Sequence, residues 1–224
     1  MRGGGVGKRN PAVLAEGQPE PFLEDPGDPP DWRQEFGRGA PIEVDIGFGK
    51  GEYLLALCAG HPETDYVGID YDRGRVWKLR DKIVRGNLRN VRLACGDAAL
   101  LLPRMFVPGG VRSFTVNFPD PWPKRRHHKR RFITRKFGEL LASRLEPGGT
   151  LTVATDHRPY ADVIIGELSA VKGLEPDFGQ PGFATALPGR IETLYERKYR
   201  EMGRTNHYMR YHAAAGCGRA DDAK

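Results

Sequence analysis

Residues 118–131, Phe-Pro-Asp-Pro-Trp-Pro-Lys-Arg-Arg-His-His-Lys-Arg-Arg, place one acid in a proline-locked turn directly before a dense cationic block. Between Lys124 and Lys136 there are eight Lys/Arg and no Asp or Glu. The summed field of such a run draws a polyanion toward the carboxylate just upstream, so the segment reads as delivery of nucleic acid to Asp120. Pro119 and Pro121 restrict the backbone around that acid, and Trp122 offers a flat ring on which a splayed base can stack. Blander readings stand beside these. A basic run can be only a solvated face, and Asp120 can instead satisfy the backbone N–H groups of its own turn. His127 and His128 are adjacent, a poor geometry for one metal ion, and read as polar or stacking contacts to RNA.

A second constellation lies upstream. Asp45-Ile-Gly47-Phe-Gly49-Lys-Gly51 follows an apolar strand and opens a helix, where glycine permits a tight turn and lets backbone N–H groups approach a ligand. Asp70 ends the next strand, nineteen residues after Gly51, where a carboxylate can accept both ribose hydroxyls of an adenosine moiety. Asp97 follows the third strand; it can accept from the exocyclic amine of adenine, cap the next helix, or do both. The Gly-x-Gly-x-Gly spacing departs from the Gly-x-Gly-x-x-Gly that admits a pyrophosphate. Asp45 beside it would repel a pyrophosphate and suits a ligand carrying an ammonium and a sulfonium. That points to S-adenosylmethionine over NAD.

The elements that must position these residues follow from the pattern. Ile42–Ile46, Tyr66–Asp70, Val91–Cys95, Val111–Phe118 and Thr150–Thr155 read as strands. Helices are expected from Tyr53 to Leu57, over 73–84, from Phe132 to Leu145 and from Tyr160 to Val171. Alternation of strand and helix predicts an α/β fold, an open, mostly parallel sheet with helices on both faces, whose ligands sit beyond the strands' C-terminal ends. The Gly/Pro-rich residues 1–40 are expected as a flexible arm, 41–212 as one domain, and 213–224 as a disordered tail. Tyr53, Trp77 and Phe132 are assigned to packing.

The 224 residues, 39% apolar with a net charge of +6, suffice for one well-buried domain. Cys58, Cys95 and Cys217 have neither disulfide nor metal-ligand spacing, which fits free thiols in a reducing cytosol and argues against zinc. No stretch approaches the roughly 18 apolar residues of a membrane helix, so the expectation is a soluble, cytoplasmic protein with no membrane partner.

On five blocks the chain resembles the bacterial single-subunit tRNA (guanine-N7)-methyltransferase family: Val44-Asp-Ile-Gly-Phe-Gly-Lys-Gly51; Gly68-Ile-Asp70; Phe118-Pro-Asp-Pro-Trp-Pro-Lys124 with Lys129-Arg-Arg131; Ala154-Thr-Asp156 with Pro159-Tyr-Ala161; and Thr193-Leu-Tyr-Glu-Arg-Lys198. The resemblance implies a class I methyltransferase fold with a seven-stranded sheet, S-adenosylmethionine as cofactor, and methylation of N7 of the guanine at position 46 in the tRNA variable loop. It implies that Asp45, Gly47, Gly49, Gly51, Asp70, Asp97 and Asp120 bind the cofactor, with Asp120 also catalytic. Lys124, Asp156, Thr193, Leu194, Tyr195 and Glu196 would bind the substrate; Thr193, Tyr195 and Glu196 are themselves expected on a late strand that returns beside the pocket mouth. It also implies a monomer or weak homodimer. Asp45 and Asp70 stand where Glu is common in the family, which keeps the charge and shortens the reach by one methylene.

Guanine N7 carries an unprotonated lone pair at neutral pH, so its methylation requires no general base, and positioning is the main task. The product is a cationic purine. A carboxylate at Asp120 would orient the base and stabilise the developing charge. Asp156 and Glu196 would accept guanine N–H donors, a pattern that adenine does not present. The alternatives are a non-catalytic or differently targeted RNA-binding protein of this fold, and an NAD-dependent oxidoreductase, against which the glycine spacing argues.

Overall fold

The computed structural model describes residues 11–215. In chain order the elements are β1 (Phe22–Leu23), α1 (Trp32–Phe36), β2 (Ile42–Ile46), α2 (Glu52–Gly60), β3 (Asp65–Asp70), α3 (Arg73–Arg85) and β4 (Val91–Cys95). There follow α4 (Ala98–Met105), β5 (Val111–Asn117), a 3-10 helix (Arg125–Arg130), α5 (Arg135–Arg144), β6 (Leu145–Thr155), α6 (Arg158–Ser169), β7 (Leu174–Pro176), α7 (Leu194–Glu201) and β8 (His207–Ala213).

The strands form one sheet in the order β1-β4-β3-β2-β5-β6-β8-β7. Neighbours from β1 to β6 pair in parallel, and β8 runs antiparallel to both β6 and β7. Period-2 alternation sorts the strand side chains between two faces. Val67, Ile69 and Ala94 join one apolar cluster with α4, α5 and α6, whereas Tyr66, Val91 and Leu93 join the other with α2 and α3. Gly68 has no side chain because α2 lies too close: a Cβ there would meet Leu54 Cδ2 at 2.5 Å.

Helix starts follow local chemistry. Asp72, Asp97 and Thr134 each accept a backbone N–H of the first turn of α3, α4 and α5. Val76, Leu79 and Ile83 then recur at helical spacing and are buried. The Thr134 cap also makes α5 start three residues later than the sequence pattern implied.

The sheet has eight strands rather than seven, because Phe22–Leu23 pairs with Leu93–Ala94 along the outer edge of β4. Residues 11–40, expected as a flexible arm, lie along the domain instead: Arg80, nearly buried, pairs with Glu20 at 2.6 Å, and Trp32 Nε1 donates to Met105 O at 2.8 Å while its ring stacks on Phe106. Composition concealed these contacts, since each depends on one residue meeting a distant surface. Residues 1–10 of that arm, Cys217 and all of the tail beyond residue 215 lie outside the described residues. Ala213, the first residue assigned to the tail, is a buried residue of β8. Among the described residues no helix is long and apolar enough to cross a membrane.

Candidate active site

At the point where strand order reverses, between β2 and β5, a cleft of about 480 Å³ opens beyond the C-terminal strand ends. Gly47, Asp70, Asp97, Asn117, Asp120 and Trp122 all reach its lining. Gly47, Gly49 and Gly51 have φ of +72°, +59° and +72°, a region that side chains other than glycine's seldom adopt. Nothing lies within 4 Å of the place a Gly47 Cβ would occupy, so the loop leaves room for close approach by a ligand. Gly51 is glycine also for packing, because its Cβ would meet Leu79 Cδ1 at 2.4 Å.

The acids around this loop are held differently. Asp70 is buried, accepting from Gly49 N at 3.0 Å and from Asp72 N at 2.9 Å. Asp45 is sealed from solvent, and its Oδ1 has no hydrogen-bond partner. Burial pushes its pKa up to about 7; the Arg190 charge pulls it down and Asp70 adds to the rise. A buried acceptor lacking a protein donor fits a cationic ligand group. Asp97 is exposed, lines the cleft and caps α4 by accepting from Ala99 N at 2.9 Å, so the capping role is present at a position that also faces the cleft.

Asp120 sits exposed on the cleft rim in a turn bracketed by two strained residues, Phe118 at φ +50° and Trp122 at φ +42°. Aromatic residues there cost of order 1–3 kcal/mol each, and such conformations concentrate at functional sites. The turn is held by Phe118 N donating to Ala154 O at 2.8 Å and by Arg131 Nε donating to Pro121 O at 3.0 Å. Arg130 lies over the Trp122 ring at 5.0 Å, and His127 meets its edge at 5.7 Å. The basic 3-10 helix thus folds back on Trp122, leaving Arg125, Arg126 and Lys129 exposed beside the rim. Lys124 is exposed at the start of that helix and is not part of the cleft lining. Phe132, assigned to packing, does line the cleft.

Thr193, Leu194, Tyr195 and Glu196 belong to a helix start and not to the late strand expected. The Thr193 side chain accepts from Glu196 N at 3.0 Å while the Glu196 carboxylate accepts from Thr193 N, a reciprocal cap whose Thr-x-x-Glu signature was legible in the sequence. Aromatic contacts bring α7 to the cleft: Phe118, which lines it, lies 6.4 Å from Tyr195 and 5.9 Å from Tyr199. Glu196 is buried and also accepts from Arg190 Nε at 2.7 Å. Its two carboxylate oxygens thus each accept from a protein donor, and Glu196 lines a cavity on the α7 side rather than this cleft. Asp156 accepts from Arg204 Nη1 at 2.7 Å. Arg190 has no sequence signal, since a lone arginine in a Pro-Gly loop carries no pattern.

Comparison with known proteins gives this geometry its context. A family model described as "Putative methyltransferase" matches residues 39–209. A tRNA (guanine-N(7)-)-methyltransferase of Halorhodospira halophila is 41% identical over 177 residues, 79% of this chain and 76% of the relative. One of Pseudomonas putida is 34% identical over 203 residues, 91% of this chain and 85% of that one. The chain belongs to the tRNA (guanine-N7-)-methyltransferase family. Among solved structures, the 16S rRNA methyltransferase KamB superposes with a TM-score of 0.60 at 15% identity, covering 84% of this chain and 95% of KamB. The aminoglycoside resistance methyltransferase NpmB1 gives 0.56 at 21%, covering 82% and 92%. These two establish the fold.

As a member of this methyltransferase family the enzyme uses S-adenosylmethionine. The residues present fit that group. Open space at Gly47, with Asp70 and Asp97 lining the cleft at successive strand ends and Asp45 a buried acceptor without a partner just outside that lining, matches a ligand that is cationic at one end and an adenosine at the other.

Proposed function

We propose that the enzyme methylates N7 of the guanine at position 46 in the variable loop of tRNA. The observation that carries this reading is the presence of Asp120, Trp122 and Arg130 on the same cleft as Gly47, Asp70 and Asp97. Acceptor chemistry and donor chemistry thereby share one opening.

When bound, S-adenosylmethionine supplies a methyl group on positively charged sulfur. Asp45 would face its ammonium, Asp70 its ribose and Asp97 its adenine. The exposed cations Arg125, Arg126 and Lys129, with Lys124, would hold tRNA phosphates and bring the loop to the rim. Trp122 would stack the extruded guanine, with Arg130 already on part of its ring. Asp120 would orient the purine and stabilise the positive charge that N7 gains. Asp156, Thr193 and Tyr195 would support the nucleotide from the α7 side, with Glu196 acting through the helix cap. The test is transfer of labelled methyl to unmodified tRNA, followed by mapping of the product. Label in 7-methylguanosine at position 46 is expected; label at another base or in another RNA overturns the assignment.

A further inference from the structure

A second cavity of about 470 Å³ lies on the α7 side, with Arg190, Glu196, Arg204 and Asn206 in its lining. Arg190 bridges it to the first cleft. Its Nη2 donates to Oδ1 of Asn117, which lines the first cleft, and its Nε donates to Oε1 of Glu196, which lines the second, at 2.7 Å. Nη1 reaches Tyr53 Oη at 3.3 Å, and the guanidinium stands over the rings of Tyr53 at 4.8 Å and Tyr208 at 5.3 Å. Only 7% of this side chain is exposed.

Stability alone is a poor account of such a residue. A buried ion pair gains little over apolar packing of the same volume, because two charges must be desolvated. What a guanidinium supplies is direction: a rigid planar fork holds several acceptors at fixed angles. Asn117 ends β5 beside the Phe118 to Trp122 turn, and Glu196 caps the helix carrying Tyr195. One side chain therefore fixes the cleft wall that leads into the Asp120 turn and the start of α7 relative to each other.

We propose that Arg190 is a positioning residue for methyl transfer, holding Asn117 and Glu196 in one register so that the two substrates meet correctly. The inference rests on the function proposed above. Because no proton abstraction is needed, the rate depends chiefly on alignment, and a misplacement of about 1 Å costs on the order of 10²-fold. Lysine keeps the charge of Arg190 and loses the fork.

The experiment measures thermal stability, Kd for S-adenosylhomocysteine and for tRNA, and the single-turnover rate with both substrates saturating. It compares wild type, Arg190→Lys and the charge-matched double variant Arg190→Met/Glu196→Gln. The expected result is that Arg190→Lys, which keeps the positive charge near Asp45, binds both ligands within about threefold of wild type, while the rate at saturation falls by about 10²-fold in each folded variant. A saturating rate near wild type in Arg190→Lys overturns the proposal, as does a loss confined to ligand affinity. If neither variant folds, Arg190 is a stabilising strut and the proposal is wrong. Wild type is the separate control on function. If it methylates a different base or RNA, the functional reading fails, and the same comparison run on that substrate still decides the role of Arg190.

Discussion

The backbone N–H of Gly49 donates to Asp70 Oδ2 at 3.0 Å, so a single carboxylate ties the glycine loop after β2 to the tip of β3. The other oxygen, Oδ1, accepts from Asp72 N at 2.9 Å. The acid expected to read the ribose also builds the loop that receives the cofactor.

Asp70→Ala should therefore damage both. Hydrogen bonds to a charged group contribute about 1.5–3 kcal/mol each, so affinity for S-adenosylhomocysteine should fall by one to two orders of magnitude. The melting temperature should drop as well, because two backbone N–H groups lose their acceptor. Calorimetric titration and a thermal melt read the two effects. Wild-type affinity in this variant would exclude Asp70 from the cofactor site.

Asp45 gives a pH prediction with a definite sign. Its folded pKa is raised to about 7 from an ordinary 3.8, chiefly by burial. Between pH 4 and 7 the folded chain keeps a proton that the unfolded chain has lost, so stability falls as pH rises through that window and levels off above it. The full effect is on the order of 4 kcal/mol. Binding of a cationic ligand needs the anion, so affinity should rise toward pH 7 and binding below that pH should release a proton. Asp45→Asn should flatten the fall in melting temperature between pH 5 and 7 and weaken S-adenosylhomocysteine binding. Equal pH slopes in variant and wild type would contradict the assignment.

Asp120→Asn should keep the fold, since Asp120 is exposed on the rim of the cleft, and should change cofactor affinity far less than turnover. It should lose methylation by about 10²–10³-fold, the usual cost of removing one electrostatic stabiliser of the transition state. Steady-state methyl transfer to tRNA measures this. Unimpaired turnover would leave Asp120 as a turn residue and nothing more.

What the sequence revealed divides along physical lines. Local patterns with a period or a cap were readable: strand alternation at Ile42–Ile46, the glycine turn, and Asp97 ahead of α4. Contacts that depend on tertiary meeting were not. Arg190 touches Tyr53 and Asn117, 137 and 73 residues away, and nothing in its neighbourhood marks it as buried. Tyr53 was assigned to packing for the same reason. The strand expected at Thr193–Glu196 is a helix start, because the Thr193 and Glu196 side chains cap each other's backbone N–H groups. Likewise Phe22–Leu23 is too short to alternate, and only the exposed edge of β4 makes it a strand.

The basic block can be tested by ionic strength, because salt separates a phosphate-binding surface from a merely solvated one. Lys124, Arg125, Arg126, Lys129 and Arg130 are exposed, and Arg130 alone among them packs on Trp122. Each phosphate contact contributes a slope of about −0.9 in log K against log salt for duplex and about −0.7 for single strands. Neutralising Arg125, Arg126 and Lys129 to Gln should therefore weaken tRNA binding at low salt and flatten the salt dependence by about two to three units together. The fold should persist, since none of the three is buried. Weaker binding with an unchanged slope would mean that the substitutions disturbed the Trp122 turn instead of removing phosphate contacts. Unchanged affinity would show that tRNA approaches the Asp120 rim by another face, and the link between the cationic run and the acid before it would be lost.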